Sequence, residues 1–166
     1  NSTAIAGNPD VAYNSINNEY LVVWHADDTD ATGVVDNENE VFGQLLTNMG
    51  AATGTNDFRI SDAGGDGDDA IDALNARVVH NFMNNEYLVI WAADDTDATG
   101  VIEGEEEVFG QILSSNGAEI GTNDFRISDV AGDGNNAFDA SNPRVSFNST
   151  NNEYLVVWQA DDTDLS

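Results

Sequence analysis

Residues 20–25 read Tyr-Leu-Val-Val-Trp-His, which is apolar on both alternating faces: Tyr20, Val22 and Trp24 on one, Leu21 and Val23 on the other. A strand of that kind lies between two packed layers. The pattern predicts four strands per unit. The first is Asp10–Tyr13, matched by Arg77–His80 and Arg144–Phe147, and the others are Tyr20–His25, Glu40–Leu46 and Asp57–Ser61. In the last, Phe58 and Ile60 share one face and Arg59 takes the other, the signature of a half-buried outer strand. No segment sustains a 3.6-residue apolar period, so no helix is expected. Short links rich in Asn and Gly, such as Asn116-Gly117, favour antiparallel hairpins.

The pattern repeats. Trp24, Trp91 and Trp158 are the only tryptophans and recur at intervals of 67 residues. Asn17-Asn18-Glu19-Tyr20 returns as Asn84-Asn85-Glu86-Tyr87 and Asn151-Asn152-Glu153-Tyr154, and GTNDFRISD from Gly54 returns from Gly121. The chain therefore divides into unit one (1–67), unit two (68–134) and a half unit three (135–166), forming one continuous repeat domain. The expected fold is all-β: four-stranded antiparallel meander repeats of 67 residues stacked as β-propeller blades, two and a half units in all, open or completed by another chain.

The succession NEYLVVW, EVFGQ and NDFRISD resembles the repeats of large secreted proteins of aquatic bacteria, which are propeller-like and loosely similar to integrin-type calcium-binding blades. The resemblance covers essentially the whole chain and implies an extracellular or cell-surface protein. It is specific for the repeat type and says little about activity. A compact D-x-D-x-D-G loop is missing, so no ligand set carries over residue by residue.

Composition narrows the partners. Among 166 residues there are 31 acids and 4 bases, a net charge of −27, with no lysine and no cysteine. Such a surface repels nucleic acid and anionic lipid and suits cations or high salt. Thiol chemistry is excluded, and no apolar run approaches the ~18 residues of a membrane span. The first residue is Asn1 rather than Met, which fits a processed protein or an excerpt of a longer one.

The acids cluster in two segments per unit. The loop after strand two carries Asp27, Asp28, Asp30, Asp36, Glu38 and Glu40, and its copy carries Asp94, Asp95, Asp97, Glu103, Glu105 and Glu107. The link between units carries Asp62, Asp66, Asp68 and Asp72, then Asp129, Asp133 and Asp139; Asp161, Asp162 and Asp164 open a third acidic loop. Two carboxylates ~6 Å apart repel by roughly 0.7 kcal/mol even in water. A hard cation with oxygen ligands removes that cost, and Ca2+ accepts six to eight oxygens in flexible geometry. Magnesium needs stricter geometry, and zinc lacks Cys ligands and nearby His. These acids are the candidate calcium ligands. The competing explanation is that they solvate the surface or suit it to salt.

Other chemistry finds less support. His25 is replaced by Ala92 and Gln159, and His80 by Tyr13 and Phe147, so His80 reads as a core ring and no hydrolase triad is built. No carboxylate pair stands out as a glycosidase couple. The tryptophans read as core, with sugar stacking as the alternative. Gly64-Gly65-Asp66-Gly67 is acidic and precedes no helix, unlike a phosphate loop. Asn1-Ser2-Thr3 and Asn148-Ser149-Thr150 match the N-glycosylation pattern. The last residues fall inside the third acidic loop, which leaves the apolar second strand of unit three with a bare edge open to pairing. The expectation is a non-enzymatic, calcium-binding structural or adhesive protein that self-associates as a homo-oligomer, ring or fibre, with a lectin-like module as the alternative and glycans as possible partners.

Overall fold

The computed structural model describes residues 6–130 and 132–160. Ten strands run in chain order: β1 (Ala6–Asn14), β2 (Glu19–Ala26), β3 (Glu40–Thr47), β4 (Ala52–Arg59), β5 (Ala73–Asn81), β6 (Glu86–Ala93), β7 (Glu107–Ser114), β8 (Glu119–Arg126), β9 (Ala140–Asn148) and β10 (Glu153–Ala160). They form two four-stranded meanders, β1-β2-β3-β4 and β5-β6-β7-β8, and a two-stranded sheet of β9 and β10. Every pairing is antiparallel. Among the described residues there is no helix, and no sheet closes on itself. The all-β, repeating meander architecture is as the pattern predicts.

Two strands differ from the expectation in extent. The first strand begins at Ala6, not Asp10, because the chain bulges between Gly7 and Asp10 and then resumes its pairing with β2. Asn8 takes a left-handed φ of 47° in that bulge, and its copies Asn75 and Asn142 take 59° and 52°. Asn tolerates this region better than most side chains. The fourth strand begins at Ala52 and ends at Arg59, where Asp57–Ser61 was expected. Ala52–Asp57 is exposed and shows no apolar alternation, so the hairpin turn and backbone pairing place it rather than burial. Ile60 and Ser61 lie past the strand, yet both amides still donate to the Val41 carbonyl.

The sheets stack face to face, and β5 packs chiefly on β1 and β2, as β9 does on β5 and β6. Each unit turns Leu21 and Val23, or their copies, toward the unit that follows. It turns Tyr20, Val22 and Trp24, or their copies, toward the unit before. Unit two has a neighbour on each side, so Tyr87, Leu88, Val89, Ile90 and Trp91 are all buried. The main core joins Leu21, Val23, Val41 and Leu45 of unit one to Tyr87, Val89, Trp91 and Phe109 of unit two. His80 is buried in this interface against Tyr87, ring centroids 5.1 Å apart, as expected for a core ring. Trp91 is likewise core, but Trp24 is half-buried and Trp158 is 38% exposed.

Gly43 and Gln44 of the EVFGQ motif have distinct structural tasks. A Cβ on Gly43 would lie 2.9 Å from both Phe58 and Ile60, so the position admits no side chain without displacing the outer strand. Pairing of β3 with β4 shifts register between Gly43 and Leu45, and Gln44 fills the gap. Its Nε2 donates to the Leu45 and Thr53 carbonyls, each at 2.9 Å, and its Oε1 accepts the Asp57 amide at 3.1 Å. Gln111 repeats the arrangement with Ile112, Ile120 and Asp124.

Candidate functional site

The acidic loops are where composition and burial conflict most, because several of their carboxylates are fully inside. Glu38, Glu40, Glu105 and Glu107 have no exposed surface, and Asp27 and Asp95 are 6% and 4% exposed. Burying a charge is costly unless it is paired and hydrogen-bonded. The partners here are mainly one arginine per unit and a set of backbone amides.

Arg126 sits in a cage of four carboxylates. It is 3.5 Å from Glu105, 2.9 Å from Glu107, 2.9 Å from Asp129 and 2.7 Å from Asp133. Arg59, its copy in unit one, meets Asp62 at 2.9 Å and Asp66 at 3.0 Å. The fork of guanidinium donors suits several carboxylates at once, which an ammonium could not match. Both cages press on a glycine: a Cβ on Gly33 would fall 1.9 Å from Asp66, and one on Gly100 would fall 2.2 Å from Asp133. Gly33 and Gly100 both have a φ of 91°, which favours glycine in its own right.

Backbone amides supply most of the remaining donors. Asp27 accepts from Asn37 and Asp94 from Gly104, at 3.0 and 2.9 Å. Asp28 accepts from the amide of Asp30, Asp68 from that of Ala70, and Glu38 from that of Val35. Glu105 accepts from Ile102 and Gly134. Glu40 accepts from the Ser61 hydroxyl and the Ala63 amide, and Glu107 from the Ser128 hydroxyl and the Val130 amide. Burial still dominates at Glu40, pushing its carboxyl up to about 8 against those donors and Arg59. Burial also raises Glu38. Asp30, Asp36, Asp97 and Glu103 are exposed loop acids.

Two sets of acids gather between units. In the first, Asp124 of unit two accepts the Asp62 amide of unit one at 2.9 Å, and Asp95 accepts the Gly64 amide at 3.1 Å. Asp62, Asp95, Asp97 and Asp124 line a cavity of about 240 Å³. Asp124 is pushed up to about 7, by burial first and then by Asp95, Glu119 and Asp62, and Asp95 is also raised by burial. Asp124 was absent from the sequence-predicted set because it belongs to a strand rather than an acidic loop. Its signal was the repeated N-D-F-R-I-S-D motif. In the second set, Asp72, Asp94, Glu106 and Asp139 line an open cavity of about 270 Å³. Glu106 replaces Asn39 of unit one. The Asn39 side chain donates to Asp72 at 3.0 Å, whereas Glu106 offers Asp139 only its backbone amide, at 3.2 Å. Burial, Asp139 and Asp94 together raise the Glu106 carboxyl.

Among the described residues, no group of three or more His, Asp or Glu is arranged to hold a metal ion. Asp27 Oδ1, Glu38 Oε1, Glu105 Oε1 and Asp124 Oδ1 are buried without a hydrogen-bond partner, but Glu105 Oε1 lies beside the Arg126 charge. Asp161, Asp162 and Asp164 lie outside the described residues. No family model matches this chain. No curated protein matches it either.

Proposed function

We propose that this is an extracellular structural or adhesive repeat protein that self-associates, and that calcium acts at the acid-lined cleft between its units. What carries the reading is that one inter-unit contact occurs twice in the chain with the same chemistry. Asn14 donates to Asn85 at 2.9 Å, and, one period on, Asn81 donates to Asn152 at 3.0 Å. Asn85 in turn donates to Asn17, and Asn152 to Asn84, both at 3.4 Å. Apolar positions bury behind this ladder in both places. A contact that reproduces itself from unit to unit suits a load-bearing or surface-displayed array.

Calcium belongs to the proposal at Asp62, Asp95, Asp97 and Asp124, where acids of two units face one cavity. These residues do not stand at common-ligand spacing, so the ion proposed is a partly hydrated bridge that draws the units together. The test pairs the solution mass by light scattering, which reads the assembly, with the melting temperature in calcium and in chelator at fixed ionic strength, which reads the ion. A mass above that of one chain and a Tm that falls in chelator are the expected results. A Tm indifferent to calcium would remove the ion, and a single-chain mass at every concentration would remove the assembly. Sugar stacking gains nothing from Trp91, which has 1% of its surface exposed.

A further inference from the structure

The two junctions between consecutive units both lie within the chain, so one serves as the control for the other. At the first, Asp10 of β1 accepts the Val78 amide of β5 at 3.0 Å. Beside it Asn8 donates to Asn75 at 2.9 Å, and His25 Nδ1 accepts the Asn75 amide at 3.3 Å. One period on, the backbone is the same. Val145 pairs with Val156 as Val78 pairs with Val89, and Asn142 keeps the left-handed φ of Asn75. The partners are not. Arg77 stands in the place of Asp10, and Ala92 in that of His25. A guanidinium has donors only, and an alanine side chain offers no acceptor. Among the described residues, no side chain of unit two accepts from the Val145 or Asn142 amide, whereas unit one serves both Val78 and Asn75.

Arg77 also brings positive charge to this junction. It is half-buried, and among the described residues it forms no ion pair, unlike the caged Arg59 and Arg126. Its one hydrogen bond runs from Nη1 to the Ala76 carbonyl at 2.6 Å, which leaves most of its five donors unused. Burial lowers the Arg77 pKa, Arg144 on β9 lowers it further, and Asp10 opposes both. Donors and positive charge thus meet here without an acceptor. We propose that the second junction binds a small carboxylate, one oxygen on the Arg77 guanidinium and the other on the Val145 amide, in the place that the Asp10 carboxylate fills at the first junction. A carboxylate matches the guanidinium fork, and hydrogen bonds to a charged acceptor are the stronger kind. The net charge of −27 repels anions in general, so binding at this point draws on local donors and not on diffuse attraction. Neither calcium nor self-association enters into it.

Acetate is the probe, titrated against chloride at fixed, low ionic strength, with the backbone amides of the whole chain followed by NMR. The Val145 amide should shift saturably in acetate and not in chloride. The Val78 amide, already served by Asp10, should stay still and is the internal control. Arg77→Gln should weaken acetate binding about tenfold or more, the worth of one hydrogen bond to a charged group. Arg77→Asp places the carboxylate within the chain, so its Val145 amide should sit downfield before acetate is added and respond to none. A Val145 amide that ignores acetate, or that shifts alike in wild type and Arg77→Gln, overturns the proposal. An Arg77→Asp chain that titrates like the wild type overturns it as well.

Discussion

Gln44 and Gln111 each bring three backbone partners to a register shift inside the sheet, a task no other side chain in the neighbourhood performs. Removing Gln44 gives up one buried bond, to the Leu45 carbonyl, and part-buried bonds to the exposed strand β4, at a net cost of about 0.5–1.5 kcal/mol. Gln44→Ala should therefore lower the unfolding free energy by about that amount in a urea titration. A loss within error would show that water replaces the side chain. Arg126 carries a heavier burden, as Glu105 and Glu107 have no exposed surface. Breaking a buried pair by removing one partner costs about 3–5 kcal/mol. Arg126→Met should approach that figure, whereas a loss under about 1 kcal/mol would mean that the backbone amides alone hold the acids. The repeat suggests a change in the opposite direction as well. Glu106→Asn restores the pairing that Asn39 makes with Asp72 and should stabilise by about 0.5–1.5 kcal/mol, the net worth of one hydrogen bond; a destabilised variant would contradict the reading of that pair. The sequence showed which acids cluster, but not their partners. Arg59 was legible only as the polar face of a strand, and nothing in the residue pattern foretold that a loop folds back to surround it with Asp62 and Asp66.

At the scale of the element, burial shaped what could be read. β2 and β6, apolar on both faces, were evident because each packs between layers, and their limits differ from expectation by a residue at each end. The first half of β4 was invisible, since an exposed strand held by backbone pairing leaves no apolar alternation. The bulge at Asn8 and its copies was equally hidden, because a left-handed Asn looks like any loop Asn in sequence. The junction of β3 with the segment after β4 also sets the pH response. Glu40 is pushed up to about 8, above its ordinary value of 4.5, and burial raises Glu38 as well. The folded state therefore holds protons there that the unfolded chain has released, so stability rises as pH falls from about 8 toward about 4.5. Thermal melts across that range should show Tm increasing on mild acidification, and Glu40→Gln should flatten the trend. A Tm that falls steadily below pH 8 would contradict the placement of these buried carboxyls.

For the molecule as a whole, the 67-residue period was the clearest statement in the sequence, and the stacked meanders follow from it. Less legible was how so acidic a chain tolerates its own charge. A cation had been the natural answer, yet the cages around Arg59 and Arg126 and the amide donors meet much of that need without one. Sequence spacing could not disclose this, because the donors are backbone groups from other segments, such as Asp62 and Gly64 serving Asp124 and Asp95. What remains unbalanced is the net charge of −27, which acts between molecules as much as within them. The most direct test of the account is the wild-type mass by sedimentation over a concentration series, at low and at about 1 M salt. The account predicts a mass above that of one chain that grows with concentration, and grows further in salt as repulsion is screened. A single monomeric species throughout would contradict it.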